Sequence, residues 1–201
     1  ADKYIAADEL LTRIEGVSYL LLGEKHDNPD HHALQLRVLD HVLQTDNVSA
    51  VSFEMMSSEQ QPLLLDLSLS PQSSLEQINE YLQWDAGWNW DYYGPLLHSV
   101  IQADVLINAA NISNEEMMQV YGAPTAAEIE GVLDEQTMVA LEKDIDESHC
   151  GMLPESQFPA MVRVQQARDF AMASSLALNT EQQLQVLVAG NYHIRRDLGV
   201  P

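Results

Sequence analysis

Four short apolar runs, separated by stretches with helical periodicity, constrain the fold of this chain more than any other feature. They cover residues 18–22, 50–55, 105–109 and 185–189. Each has the length and composition of a strand, and the first, closed by Gly23, predicts a strand buried on both faces. Because parallel neighbours need long crossovers that usually contain helices, this order predicts a mostly parallel sheet. We therefore expect an α/β fold with helices on both faces of the sheet and a helical excursion.

The helices are indicated by their start signals and by apolar spacing. Asn28 and Pro29 supply an N-cap and a first-turn proline for a helix over 30–44, and residues 73–76 resemble a capping box ahead of a helix that reaches about residue 83. A long apolar helix over 159–178 is expected to cover one face of the sheet. Residues 84–95 hold three tryptophans and two tyrosines without a clean period. This segment predicts an aromatic excursion that runs into a helix and either packs under a loop or walls a site.

Length and charge limit the classes of protein that fit this sequence. The 201 residues, 46% of them hydrophobic, support one sizeable core, so we expect a single domain over 1–201. The net charge of −22 opposes binding to nucleic acid and to anionic membrane surfaces. No apolar run approaches the roughly 20 residues of a membrane span. The single cysteine, Cys150, excludes a disulfide within the chain and leaves the cellular compartment open.

The polar residues that follow the predicted strands are the candidate functional residues. The first and last strands both end in Gly-x-x-His, at Gly23–His26 and Gly190–His193, and the second ends in Phe53-Glu54-Met55. Each glycine is expected to permit a sharp exit from its strand. Because the carboxyl ends of parallel strands share one edge, where ligands bind, we expect Glu24 and Glu54 to meet the two histidines there. Imidazole and carboxylate suit zinc, iron or manganese, and also proton transfer, while a structural role for each histidine is the alternative.

Cations are concentrated near these two patterns. Lys25, Arg195 and Arg196 lie beside them, whereas no lysine or arginine occurs between Arg37 and Lys143. This distribution favours an anionic ligand, and the alternative is that each cation only neutralises acidic neighbours. Two further features are weaker. For His31 and His32, a position facing the crevice and a solvated or aspartate-paired position at the helix start are both open, and the pair His149–Cys150 alone fixes no metal geometry.

Six segments of the chain, in order, resemble the ChaN-like haem-binding family. They are Gly23–His32, Phe53–Met55, Trp88–Pro95, Ser148–Pro154, Gln166–Asp169, and Gly190–His193 continuing through Gly199–Pro201. The match extends over nearly the whole chain, from Tyr19 to Pro201. The family is also similar, at a distance, to Tiki-type metalloproteases and erythromycin esterase-like hydrolases.

The resemblance implies a bacterial lipoprotein of the cell envelope, held by a lipidated cysteine ahead of the present start and taking part in haem or iron uptake. It implies a homodimer that encloses a pair of haems, with a tyrosine and a histidine near the irons and an outer-membrane haem receptor as a candidate partner. Phenolate and imidazole both ligate haem iron, and guanidinium and ammonium groups pair with propionates. The candidate haem-binding residues are His26, Tyr93, Tyr192 and His193 for iron, Lys25, Arg195 and Arg196 for the propionates, and Trp90 for covering the porphyrin.

A metal-dependent hydrolase is the alternative from another class. In this hypothesis His26, His193 and Glu54 hold a divalent ion such as zinc or manganese, and Glu24 acts as the general base on a bound water. A third possibility is a vestigial site in a domain that serves only as an interaction module.

Overall fold

The sheet of this protein consists of four parallel strands. The structure is a computed structural model that describes residues 5–45, 47–65, 68–123, 129–177 and 183–201. The strands are β1 (Tyr19–Glu24), β2 (Val48–Ser57), β3 (Leu106–Asn111) and β4 (Leu184–Gly190), in the spatial order β1-β4-β2-β3. Every neighbouring pair is parallel. The predicted α/β class and parallel sheet are therefore confirmed.

Eight α-helices connect and cover these strands in the part of the chain that the structure describes. They are α1 (Ala7–Arg13), α2 (Pro29–Leu43), α3 (Gln61–Leu65), α4 (Leu75–Tyr81), α5 (Trp90–Gln102), α6 (Asn114–Gly122), α7 (Glu135–Ser148) and α8 (Phe158–Ala177). Two short 3₁₀ turns cover Ser58–Gln60 and Glu155–Gln157. Helix α1 has no counterpart among the predicted elements. No helix among the described residues is long and apolar enough to cross a membrane.

The helix starts form as their side chains predict. Asn28 caps α2 by accepting a hydrogen bond from the backbone N–H of Asp30, with Pro29 as the first helical residue. Ser74 and Gln77 form a reciprocal capping box at the start of α4. Leu178, the predicted last residue of the long helix, lies outside the described residues.

The helices bury both faces of the sheet, and alternate residues of β4 divide between the two. Val186 and Val188 face a large core formed with α2 and α5. Leu187 and Ala189 face Met172 of α8 on the opposite side. All seven residues of β4 are buried, as a strand between two parallel neighbours should be.

The prediction that the first strand is buried on both faces is wrong. Strand β1 lies at the edge of the sheet and pairs only with β4. Tyr19 is 55% exposed, the next four residues are half-buried, and only Glu24 is buried. A continuous apolar run does not distinguish an edge strand from a central one, because this depends on which strand the chain later places beside it.

Candidate functional site

Strand register brings the two Gly-x-x-His patterns together. Glu24 of β1 aligns with Gly190 of β4, and Phe53 of β2 aligns with Val188. Both patterns therefore leave the sheet side by side, and the backbone N–H of Asn191 donates to the carbonyl of Glu24 at 2.7 Å. As a result Glu24, Glu54, His26 and His193 all line one cavity at the carboxyl edge of the sheet.

Glu24 is a buried carboxylate that orients His26. Its Oε1 lies 2.6 Å from Nδ1 of His26 and accepts a 3.1 Å hydrogen bond from the hydroxyl of Tyr93. Its Oε2 is buried without a hydrogen bond from any described residue. The hydrogen bond to Glu24 raises the pKa of His26, despite partial burial. Burial, and then the charge of Glu24, raises the pKa of Tyr93 far above its ordinary value, so Tyr93 stays a neutral donor.

His193 is held between two carboxylates. Its Nδ1 lies 2.6 Å from Oδ1 of Asp169, and its Nε2 lies 3.2 Å from Oε1 of Glu54. Because both ring nitrogens face carboxylate oxygens, both are donors and the ring is an imidazolium. Burial alone would lower the pKa of His193, but the hydrogen bonds to Asp169 and Glu54 raise it to about 9.

Both carboxylate oxygens of Glu54 have a hydrogen-bond partner. Besides His193 it accepts a 2.6 Å hydrogen bond from the backbone N–H of Gly190. Burial opposes its charge, but the hydrogen bond from His193 and the positive charge of that ring outweigh burial and lower the pKa of Glu54. The two carboxylates at the strand ends therefore have different surroundings, one with a single imidazole as its closest partner and one inside an ion triad.

The glycine of each pattern allows a neighbouring side chain to pack closely against the strand. It does not make the sharp strand exit that the sequence predicts. Gly23 lies inside β1, Gly190 is the last residue of β4, and neither has a positive φ. A Cβ at Gly190 would lie 2.9 Å from Cε1 of His26, so only glycine lets that ring lie over the strand end. A Cβ at Gly23 would meet the side chain of Ile194 in the same way.

The cavity is about 500 Å³ and combines apolar walls with polar groups. Leu141 and Ile145 of α7, together with Leu198, line its apolar side. Trp88 also lines it and meets the His26 ring edge-on, with 4.9 Å between ring centroids. Its size and lining are typical of small-molecule sites.

The remaining predicted residues divide between the cavity and its surroundings. Lys25 and Arg195 line the cavity but already pair with carboxylates: Lys25 with Asp27, and Arg195 with Asp144 and Asp197. Tyr192 lines it and is 50% exposed. The structure does not place the other three on the lining: Tyr93 is buried behind Glu24, Arg196 is exposed on the surface, and Trp90 packs against Trp84 and Gly94.

The histidines outside the two patterns have local roles. His32 is buried, with Nε2 3.2 Å from the carbonyl of His26 and its ring stacked on Tyr92. His31 accepts from the backbone N–H of Lys25 through Nδ1 at 3.0 Å. Nδ1 of His149 lies 2.7 Å from the carbonyl of Ile145 and donates to it, while Cys150 is exposed. The contacts of His31 and His32 hold the backbone of Lys25 and His26 in place.

Three polar residues of α8 belong to the site and were given no role by sequence reasoning. Asp169 holds His193, the Gln165 amide lies 3.0 Å from the same Nδ1, and Arg168 lines the cavity. Positions i, i+3 and i+4 share one helix face. The segment Gln166–Asp169, one of the six that resemble the ChaN-like family, was the available signal for Arg168 and Asp169.

The structure does not favour the divalent-metal hypothesis. Within the ranges that the structure describes, no group of three or more histidine, cysteine, aspartate or glutamate side chains is arranged to hold a metal ion. Glu54 and His193 instead satisfy one another directly, and both nitrogens of His193 act as donors.

Fold and site together define an α/β protein with a ligand cavity at the carboxyl edge of a parallel sheet. The profile of one family, described as haem-binding uptake, Tiki superfamily, ChaN, matches residues 10–201. The chain therefore belongs to this haem-binding family, which confirms the resemblance drawn from the six motifs. The description of this family names haem binding and does not name hydrolysis, so the hydrolase alternative is not favoured.

Solved structures agree with this assignment. ChaN of Campylobacter jejuni, described as binding haem cofacially, has a TM-score of 0.86 and 26% identity, and the match covers 99% of this chain and 80% of that one. The effector domain RRSP of a MARTX toxin from Vibrio vulnificus has a TM-score of 0.52 and 15% identity, over 94% and 31%. The type III effector HopBA1 has a TM-score of 0.50 and 12% identity, over 96% and 78%. The two effectors share only the fold, and no protein of curated function matches the chain.

Proposed function

We propose that this protein binds haem in the cavity at the carboxyl edge of its sheet. The observation that carries the proposal is His26, a histidine with a 48% exposed side chain at an apolar cavity, whose Nδ1 is held by the buried carboxylate of Glu24. A carboxylate on Nδ1 fixes the tautomer that leaves Nε2 with a lone pair, as in many metal-ligating histidines. Apolar walls formed by Leu141, Ile145 and Leu198 suit the faces of a porphyrin.

We assign the iron to His26, with Tyr192 as a second candidate ligand. His193 has no lone pair to offer while both of its nitrogens donate to carboxylates. Tyr93 is buried, donates to Glu24 and has a raised pKa, so a phenolate is strongly disfavoured there. These geometries support positioning roles for His193 and Tyr93.

A homodimer is the assembly that we propose for the haem-bound protein. In this assembly the candidate cavity of one chain would face that of a second copy, so that both chains enclose the bound haems. The cofacial haem binding described for ChaN of Campylobacter jejuni supports this arrangement.

Envelope location, a role in haem or iron uptake and a haem receptor as partner are further proposals that rest on family membership. Fractionation of the source cells, metabolic labelling with a fatty acid, and growth of a deletion strain on hemin as the iron source test them. We expect the protein in the membrane fraction with the fatty-acid label incorporated. We also expect the deletion strain to grow poorly when hemin is the only iron source. Unlabelled protein in the cytosol and unimpaired growth would contradict them.

Hemin titration followed by absorbance and by sedimentation tests ligation and dimerisation together. We expect a saturable, red-shifted Soret band and a shift from one chain to two. His26→Ala should abolish or shift the band, and Tyr192→Phe should alter it if the phenol is a second ligand. His98→Ala is a matched control, because His98 is a half-buried histidine of α5 that does not line the cavity. A spectrum identical to that of free hemin would exclude the proposal.

A further inference from the structure

Most cations of this protein are already neutralised by acidic neighbours. Of the nine lysines and arginines, eight lie in the described residues, and five of those form ion pairs with carboxylates: Arg13, Lys25, Arg37, Lys143 and Arg195. Arg163 donates to the carbonyls of Val120 and Tyr121. Arg196 is exposed on the surface. Three of the eight described cations, Arg163, Arg168 and Arg196, therefore form no ion pair with a described carboxylate.

Arg168 is the cavity-lining cation that forms no ion pair with any described carboxylate. Its Nε is buried and has no hydrogen-bond partner among the described residues. Its Nη2 lies 3.5 Å from Sδ of Met117, and a thioether is a weak acceptor. Leaving a buried guanidinium donor unsatisfied is costly, so the group is prepared for an acceptor that the chain itself does not provide.

The position of Arg168 makes it accessible to a ligand. Arg168 lines the candidate haem cavity and two neighbouring cavities, of about 440 and 570 Å³. Glu54 and Trp88 line the first and second of these cavities with it. Arg168 therefore lines the same cavity as His26 and Trp88, where a bound ligand can contact it.

The nearby carboxylates do not compete for Arg168. Glu54 accepts hydrogen bonds from His193 and from Gly190, and Asp169 is held by His193. The other cations that line the cavity are less available, because Arg195 is shared by Asp144 and Asp197 and Lys25 pairs with Asp27. An incoming carboxylate would have to displace an existing ion pair at either of those residues, but not at Arg168.

From these contacts we infer that Arg168 receives a carboxylate of the bound ligand, which is a haem propionate if the proposed function holds. A guanidinium offers two parallel N–H donors that match a carboxylate, and such charge-assisted pairs are among the stronger hydrogen bonds. Arg168 thereby takes the role that sequence reasoning gave to Lys25, Arg195 and Arg196.

The test compares hemin with its dimethyl ester, in which both propionates are uncharged, under the same cosolvent. The wild type should bind hemin roughly 10- to 100-fold more tightly than the ester, as expected for charge-assisted pairs. Arg168→Gln should weaken the binding of hemin and leave the binding of the ester unchanged, so the preference for hemin is lost. The Soret band of its hemin complex should keep the wild-type wavelength because His26 still ligates iron. Arg168→Met is a second variant of similar length that removes both charge and donors.

A control variant and a competing variant make the result specific. Arg37→Gln removes an exposed cation of α2 that pairs with Asp8, and it is the control that should keep the full preference for hemin. Arg195→Gln tests the competing assignment at the other arginine of the cavity, and it should lose less of the preference than either Arg168 variant. Retained preference in both Arg168 variants, or loss of preference in Arg195→Gln alone, would overturn this inference while leaving haem binding intact. Failure of the wild type to bind hemin at all would overturn the proposed function as well.

Discussion

His26 and His193 follow their glycines at the same spacing, yet different numbers of carboxylates surround them. One carboxylate, Glu24, contacts His26, whereas two, Asp169 and Glu54, contact His193. A single carboxylate orients a ring and leaves its second nitrogen available. Two carboxylates hold both nitrogens and keep the ring charged, which makes His193 a structural cation of the site.

The charge of His193 should make the stability of the protein depend on pH. Its pKa of about 9 lies above the ordinary 6.5, so the folded state binds this proton more tightly than the unfolded state does. The resulting stabilisation, roughly 3 kcal/mol at its maximum, is complete below pH 6.5 and lost as pH rises through 9. Unfolding of wild type and His193→Gln across this range should show the advantage of the wild type shrinking. An advantage that grows with pH would contradict the assignment, and His98→Gln is the control.

The raised pKa of His26 should appear in hemin affinity. A proton on Nε2 competes with iron, so affinity should fall about tenfold per pH unit once pH drops below the pKa of His26. Glu24→Gln removes the carboxylate that raises this pKa and should move the fall to lower pH. Hemin titrations at a series of pH values measure both curves, and identical curves for the two proteins would contradict the role of Glu24.

At the scale of elements, the pairing of β1 with β4 brings the two Gly-x-x-His patterns together, and Gly190 leaves room for the ring of His26. The ring of His26 lies over the last residue of β4, where a Cβ would come within 2.9 Å of Cε1. Gly190→Ala should displace the ring, destabilise the fold by about 1–3 kcal/mol and weaken hemin binding.

Gly122→Ala is the matched control for this substitution. Gly122 ends α6, where an added Cβ would meet nothing within 4 Å, so stability should stay unchanged or rise by up to about 1 kcal/mol. Thermal unfolding and hemin titration of both variants provide the comparison. Equal effects of the two alanines would show that His26 does not need the open space above β4.

The fold was predictable from sequence because its signals are local. Asn28 with Pro29, and Ser74 with Gln77, start helices through contacts within four residues, and the apolar runs mark strands regardless of their neighbours. The exposure of β1 was not predictable, because strand order depends on pairing between residues 19–24 and 184–190. The site divides in the same way. Both glutamates lie in strands and both histidines follow strands, so local sequence signals indicate them, whereas Asp169 reaches His193 only because α8 packs on the sheet.

At the scale of the whole molecule, ligand binding should be visible as stability. A ligand that binds only the folded state at a concentration 100 times its Kd adds about 2.7 kcal/mol to the free energy of unfolding. For a chain of 201 residues this is roughly 5–10 °C in Tm. Thermal unfolding with hemin should show that rise, and the rise should increase with protein concentration if two chains enclose the ligand. The increment should be much smaller in His26→Ala, and an equal increment would place hemin elsewhere.

The position of iron in crystals of the hemin complex, located by its anomalous scattering, tests the central claim most directly. We expect an iron peak inside the cavity between β1, β4 and α7, within coordination distance of Nε2 of His26, with a propionate at Arg168. An iron peak outside this cavity, such as one beside Met117 and Met161 in the neighbouring cavity, would contradict the account.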